Sequence, residues 1–505
     1  MVTLQAESKG SAFVFGGNMN YVIKGYEPQK LFQYFEDITA IPRGSSNEEA
    51  VAQYVIDFAK ARGLEVHTDS YHNVIIKKAA TAGMEDSAPV MLQGHLDMVN
   101  ETAPGYDHDW NTTGPIIQIS DDGIISADGT TLGADNGAAV AIMLAVLDDE
   151  TAKHPALECV FTVQEETGLT GAKTVDCSLL NARRMINLDS EEEGVLTVSC
   201  AGGVRADIVA TEPVDGGEVS GVLVEVSVTG LKGGHSGADI HLERGNANKI
   251  MGRTLNAIAK VLPGLNVVSI NGGSKDNAIT RECFAKVLVP CNNCANKLLN
   301  TVADVQDQVS KELADTDAGV LVAANVVGEH TANVIAKNVA TAFIKFMYMV
   351  PNGPSMRNPM LNDFVITSSN LGVVNADATS VKCTCSLRSS VLSQLENSKT
   401  ILSDFAGLLG MSVNYREQYP GWAYNANSEL REIICATYKD MFGKEMKAEA
   451  IHAGLECGLF CEKLPGLDPV AMGPWLTNVH TPDETLDANS FARTYKLILE
   501  VLARL

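Results

Sequence analysis

The chain has 505 residues, room for two to four domains, and its 45% hydrophobic and 20% charged residues are ordinary for a folded protein. Its 43 glycines and 17 prolines match average usage, which excludes collagen-like and disordered readings. A net charge of −24 repels phosphate backbones and anionic lipid, so neither nucleic acid nor a membrane surface is expected as a partner.

No apolar run approaches the ~20 residues that a membrane helix requires. The start, MVTLQAESKGSAFVFGGNMN, has neither the basic beginning nor the sustained apolar core of a secretory signal. The eleven cysteines are too scattered for a disulfide scaffold, and with no leader they predict a reducing, cytoplasmic setting. Cys159 and Cys200 fall inside apolar runs, where small buried thiols are expected. Cys291-Asn-Asn-Cys294 has redox or zinc-knuckle spacing, but no second pair completes a four-ligand cage, which favours a structural role.

In chain order, Asn47-Glu48-Glu49 opens an amphipathic helix, AVAQYVIDFAKARG, that Gly63 can close. Strand-like segments follow: LEVHTDS, NVIIKK and PVMLQGHLDMV. NGAAVAIMLAVLDDE reads as a helix whose small early residues permit close packing on a sheet. ALECVFTVQEE and RRMINLDSEE are apolar strands ending in acids, a design that gathers carboxylates at one sheet edge. The Gly/Pro/acid stretch TEPVDGGEVSG reads as a linker. Beyond it lie the strand VLVEVSVTG, the helix RGNANKIMGRTLNAIAKVLPG, and the strands VVSING and FAKVLVP. A similar block follows at 341–411, with AFIKFMYMV, DFVITSSNLG and SVKCTCSLRSS as strands and SQLENSKTILSDFAGLLG as a helix. After about residue 413 the α/β pattern returns and ends in the helix ANSFARTYKLILEVLARL. These segments predict an α/β domain formed by 1–205 and 413–505. An α+β domain, 206–412, is inserted between them, and its second block allows two related lobes.

The chemistry-bearing residues sit where strands end. His95 and Asp97 follow an apolar strand and face the same side of an extended segment, so Asp97 can fix the His95 ring. Asp135 lies in a turn before a helix, Glu165 and Glu166 adjoin at a strand end, Asp189 ends another strand, and His480 precedes a proline turn. An extended strand would point Glu165 and Glu166 in different directions. The acids at 191–193 read as a solvated charge run, and Asp135-Asn136-Gly137 as a simple turn before a helix cap is the plainer alternative. Two imidazoles and three carboxylates (His95, Asp135, Glu166, Asp189, His480) suit a pair of zinc-like ions, which leaves Glu165 to act as general base.

GHLDMV, TLGADNGAAVA, TVQEETGLTGA, NLDSEEEG, GLKGGHSGADIHLERGNANK, HAGLECGLF and GPWLTNVHTPDE together resemble the aminoacyl-histidine (Xaa-His) dipeptidases. These are two-zinc exopeptidases related to carnosinase and peptidase T, and the likeness runs through most of the chain. It implies a zinc-exopeptidase-like catalytic domain with an inserted lid domain, and hydrolysis of small Xaa-His peptides such as carnosine. It implies two Zn2+ per chain, with Co2+ or Mn2+ as substitutes. His95, Asp135 and Asp189 would hold one ion, and Asp135 as bridge, Glu166 and His480 the other. Asp97 would support His95, Glu165 would be the base, and His235 in the lid would reach the substrate carbonyl. Asn277 and Arg388 would hold the substrate's carbonyl or carboxylate end. The resemblance also implies a homodimer through the lid, for which VLVEVSVTG would offer an edge strand; a duplicated lid in one chain is the alternative.

In this sequence Thr481 stands where the family often has Ser, Trp475 lies near the last ligand, and the first ~25 residues exceed the family's start. His452 is the rival ligand, and its apolar setting favours a packed or substrate-wall histidine. The nearest rival activities are an N-acyl amino acid amidohydrolase or a tripeptidase. A non-catalytic metal-binding homologue would not need Glu165, and a phosphoesterase would need basic phosphate clamps that these motifs lack.

Overall fold

The computed structural model describes residues 20–359 and 363–505; the N-terminal stretch considered above lies almost wholly outside the described residues. The chain divides into two compact units. One comprises the described residues up to Val198 with Asn425–Glu449 and Leu459–Leu505, and the other comprises Ser199–Tyr424 with Ala450–Gly458.

The first unit is built on an eight-stranded sheet. Four neighbouring strands run parallel at its centre: Leu157–Thr162, Val90–His95, Arg184–Asn187 and Asp468–Ala471. Val90–His95 is buried at every position, as a strand covered on both faces must be. Helix Ala134–Asp148 is buried without a break from Asn136 to Leu147, which accounts for its lack of a polar side. Helix Gln29–Thr39 buries Leu31, Phe32, Phe35 and Ile38, and the closing helix Ala488–Arg504 buries Phe491, Ile498, Val501 and Leu502. They meet through Phe491, whose ring packs edge-on against Phe32 and Phe35 at 5.4 and 5.7 Å. Helix Glu49–Ala61 ends where the sequence predicts, with Gly63 in the left-handed region just beyond it.

The second unit is a nine-stranded antiparallel sheet packed against four long helices, Ala247–Val261, Asn292–Glu312, Lys337–Met349 and Leu392–Leu408. Both sequence blocks join this one sheet, through pairing of Asn266–Gly272 with Phe364–Ala376.

Three local expectations are corrected. TEPVDGGEVSG is no linker, because its residues from Asp215 onward begin the 15-residue strand Asp215–Thr229, which absorbs the glycine pair in a register shift. AFIKFMYMV is helical rather than extended: Val339, Ala340, Phe343, Ile344 and Met347 recur at three- and four-residue spacing and are buried together. VLVEVSVTG is not an edge, since Asp215–Thr229 pairs on both sides; the outermost strand at that end of the sheet is Leu321–Ile335.

Candidate metal centre and substrate loop

The parallel strands deliver their loops to one edge of the sheet. His95 ends Val90–His95 and Asp97 follows it; Asp189 follows Arg184–Asn187; Glu165 and Glu166 follow Leu157–Thr162. His480 occupies the tip of a hairpin between Leu476–Thr477 and Thr485–Asp487, in the left-handed conformation that few non-glycine residues adopt. Crevices beyond the carboxyl ends of parallel strands are where α/β folds gather ligands.

The five predicted ligands converge. His95 Nε2 lies 3.1 Å from Asp135 Oδ1 and 3.5 Å from Asp189 Oδ1. His480 Nε2 lies 3.1 Å from Asp135 Oδ2 and 3.0 Å from Glu166 Oε1. Asp135 therefore turns one oxygen toward each histidine. Two groups with donor atoms within 4.8 Å of one another result, His95–Asp135–Asp189 and Asp135–Glu166–His480. A third, His95–Glu165–Glu166, contains both adjacent acids. The expectation that these two acids point apart is overturned, because the strand ends at Thr162 and Gln164 is left-handed, so they sit in a turn.

The electrostatics bear on what this set can hold. Burial alone would lower His95, yet Asp189, Asp135 and Asp97 hold it well above its ordinary pKa. Hydrogen bonds to Asp135 and Glu166 push His480 up to about 11. Burial raises Asp189, and the charges of Asp135 and Glu166 add to the rise. The crowded carboxylates raise both imidazoles, and divalent cations would supply the positive charge that such crowding favours. The donor set of two imidazoles and three carboxylates thus fits zinc-class ions.

Asp97 is fully buried and does more than sit beside His95. Its Oδ1 lies 3.4 Å from His95 Nδ1. The carboxylate also accepts from the Ser45 hydroxyl at 2.8 Å and from the Glu165 and Glu166 N–H groups at 3.0 and 3.3 Å. Asp97 thereby holds the ring through its main-chain carbonyl, 3.1 Å from His95 Nδ1, and the acidic turn through its carboxylate.

Three supporting residues escaped the sequence reading. Buried Arg43 donates to the carbonyls of Leu96 and Asp97 at 2.9 and 3.1 Å, and to that of Gly133. Burial lowers it to about 10, against the opposing pull of Glu484, Asp97, Asp135 and Glu166, so it remains charged at neutral pH. A Cβ on Gly133, which is left-handed, would stand 2.6 Å from its Nη2. Asn136 accepts from the His95 N–H at 3.3 Å and donates to the Leu188 carbonyl at 3.0 Å, tying two ligand-bearing segments together. Glu484 accepts from the N–H groups of Leu132, Gly133 and Asp135 at 2.8, 2.9 and 3.1 Å. Of the acids at 191–193, Glu193 pairs with Arg493 through both oxygens, while Glu191 and Glu192 are exposed.

In the second unit, the short strand Gly234–His235 pairs with Ala278–Ile279, and the Ser236 N–H donates to the Asn277 carbonyl at 2.8 Å. His235 and Asn277 are thus neighbours. His235 Nδ1 accepts from the N–H groups of Gly237 and Ala238 at 3.3 and 2.9 Å. Burial and the Arg388 charge lower its pKa. A neutral ring whose Nδ1 accepts must carry its proton on Nε2, which makes that nitrogen a donor. Arg388 is buried and donates to the Tyr419 hydroxyl at 2.8 Å, while its Nε has no hydrogen-bond partner. A buried guanidinium with a spare donor suits a carboxylate. His452 does not join the metal cluster: its Nε2 meets the Ser368 hydroxyl at 2.8 Å, and burial with the Arg388 charge lowers it to about 3.

Imidazoles and carboxylates converging at the end of a parallel sheet define an α/β metallohydrolase centre. Comparison with known proteins agrees. The profile of peptidase family M20/M25/M40 matches residues 91–504. The cytosol non-specific dipeptidase of Escherichia coli (strain K12) is 38% identical over 477 residues, covering 94% of this chain and 97% of the relative. The crystal structure of aminoacylhistidine dipeptidase from Vibrio alginolyticus is 35% identical with a TM-score of 0.88, covering 95% and 97%. Aminopeptidase PepT from Bacillus cereus, at 17% identity and a TM-score of 0.54 over 95% and 98%, shares the fold. The chain belongs to peptidase family M20/M25/M40 and is a metallopeptidase. Among the described residues, no helix is long and apolar enough to cross a membrane.

Proposed function

We propose that this metal-dependent dipeptidase hydrolyses Xaa-His dipeptides, carnosine among them, in the cytoplasm. Support comes from the likeness to an aminoacylhistidine dipeptidase, while the relative named non-specific supports acceptance of other dipeptides as well. The observation that carries the reading is Asp135, whose two oxygens face His95 and His480 separately and so let two ligand groups share one carboxylate. His95, Asp135 and Asp189 would hold one ion, and Asp135, Glu166 and His480 would hold the other. Two zinc-class ions would supply a polarised carbonyl and a water of lowered pKa.

The remaining steps belong to side chains. Glu165 takes the proton from the attacking water on a carboxylate oxygen and passes it to the leaving amine. Asp97 keeps that acid in place through the Glu165 N–H. His235 donates its Nε2–H to the developing oxyanion as the lid closes. Arg388 grips the C-terminal carboxylate, the end that an exopeptidase must measure, and Asn277 holds the substrate beside it.

Hydrolysis of carnosine, an N-acetyl amino acid, a tripeptide and a phosphomonoester tests the assignment. Turnover of carnosine well above the other three, with two zinc ions per chain, is expected. Preference for the N-acetyl amino acid or the tripeptide would overturn it. The lid also carries the dimer contact in this reading: the outermost strand Leu321–Ile335 exposes Leu321, Val326 and Val327. Light scattering that reports a monomer at all concentrations would refute that part.

A further inference from the structure

Cys291-Asn-Asn-Cys294 takes no part in the peptidase chemistry. Cys291 is the N-cap of the 21-residue helix Asn292–Glu312, and Cys294 is its third residue. Side chains at these two positions meet across the first helical turn, the geometry that a capping box exploits. Here it brings the two reduced sulfurs to 3.1 Å. A disulfide needs about 2.05 Å, so bond formation requires an approach of about 1 Å. Among the described residues, no group of metal-holding side chains includes either sulfur. Cys291 is exposed and Cys294 half-buried, so the pair is open to small molecules.

The two sulfurs are also unlike. The thiol and N–H of Cys294, the Asn293 N–H and the charge of Lys297 lower the Cys291 thiol, whereas contact with Cys291 raises Cys294. The buried cysteines show the opposite behaviour: burial pushes Cys159 and Cys385 up to about 12, where no thiolate forms at neutral pH. An exposed thiol whose pKa is lowered, with a second sulfur in reach, has the parts of an exchange site.

We propose that Cys291 and Cys294 form a redox-active dithiol that exchanges with low-molecular-weight disulfides of the glutathione type. The Cys291 thiolate attacks one sulfur of the disulfide; that S–S bond breaks, and one thiolate leaves and takes up a proton. Cys294 then gives up its proton and attacks Cys291 Sγ in the mixed disulfide, and the second thiolate departs and is protonated. The protein loses two hydrogens and gains one S–S bond, and one small disulfide becomes two thiols.

The test incubates the zinc-loaded full chain with mixtures of oxidised and reduced glutathione, quenches with acid, alkylates, and maps every cysteine by mass. Oxidation is expected at 291 and 294 alone, by loss of two hydrogens. Cys294→Ser should stop at a stable glutathione adduct on Cys291, and Cys291→Ser should give neither product. Alkylation of Cys291 should run roughly tenfold faster than that of half-buried Cys435, as a greater thiolate fraction dictates. An adduct that forms equally on Cys294 in Cys291→Ser would overturn the order of attack. Oxidation of the pair no more readily than Cys435, or alkylation at the same rate, would overturn the site.

Discussion

Glu484→Gln tests whether the Asp135 loop is held from beneath. The Glu484 carboxylate is buried and accepts three backbone N–H groups, two on Oε2 and one on Oε1. Glutamine preserves shape but offers one acceptor oxygen, and its amide places N–H against N–H at the other position. At least one buried donor loses its partner, and the others lose a charged acceptor. Hydrogen bonds to charged groups contribute about 1.5–3 kcal/mol each, and a stranded buried donor costs about 1–3 kcal/mol. A loss of about 2–4 kcal/mol in the metal-free protein follows, read from urea midpoints at constant slope. The same loop presents Asp135, so zinc affinity measured by chelator competition should fall about 10–100-fold, the usual consequence of disturbing a ligand's support. Glu484→Asp, which keeps the charge, should recover part of both losses. Wild-type zinc affinity together with wild-type stability in Glu484→Gln would refute the reasoning.

Glu165→Ala should keep both zinc ions and lose several orders of magnitude in kcat, whereas Glu166→Ala should lose one ion; equal metal loss in both would reverse the assignment within the pair. His235→Ala should leave zinc content and KM nearly unchanged and lower kcat by about 10²–10³, as removal of an oxyanion donor does; unchanged turnover would leave the loop with substrate grip alone. His452 is neutral when folded, its pKa lowered to about 3 by burial and the Arg388 charge, with His235 and His241 also nearby. An unfolded histidine titrates near 6.5, so the stabilisation is fully present above that value and declines as pH falls and the unfolded chain binds the proton. His452→Gln should therefore flatten the loss of urea stability between pH 6.5 and 5 by about one proton's worth; an unchanged slope would sink the account.

Much of the candidate centre was legible in the sequence because several of its residues sit where an apolar run stops. A buried strand such as Val90–His95 shows its end through a sudden polar residue, and His95, Asp97 and Asp189 all carry that mark. The direction of Glu165 and Glu166 was not legible, since alternation holds only while the chain stays extended and this strand ends at Thr162. Element type failed where composition was ambiguous. AFIKFMYMV is apolar enough for either a strand or a helix, and its buried partners in the second unit decided the matter. TEPVDGGEVSG misled because glycine and proline signal a break locally, while the partner strand Leu321–Ile335, about a hundred residues away, recruits the segment into the sheet.

The supports beneath the ligands have no sequence signature because their partners are backbone groups far away in the chain. Arg43 serves carbonyls 53, 54 and 90 residues distant, and Glu484 serves N–H groups about 350 residues distant. Nothing local marks an arginine or a glutamate for such work. Their roles follow from charge. Carboxylates close enough to share cations also repel one another; burial raises the Asp189 pKa first, and the charges of Asp135 and Glu166 add to it. Arg43 places a permanent positive charge under them, and its donors fix the loops that carry His95, Asp97 and Asp135. Glu484 lets that cation stay buried, and it turns the Asp135 loop so that both oxygens of Asp135 face outward to different histidines. Hydrogen bonds from Arg43 and Glu484 to the protein backbone therefore support the loops that carry these side chains.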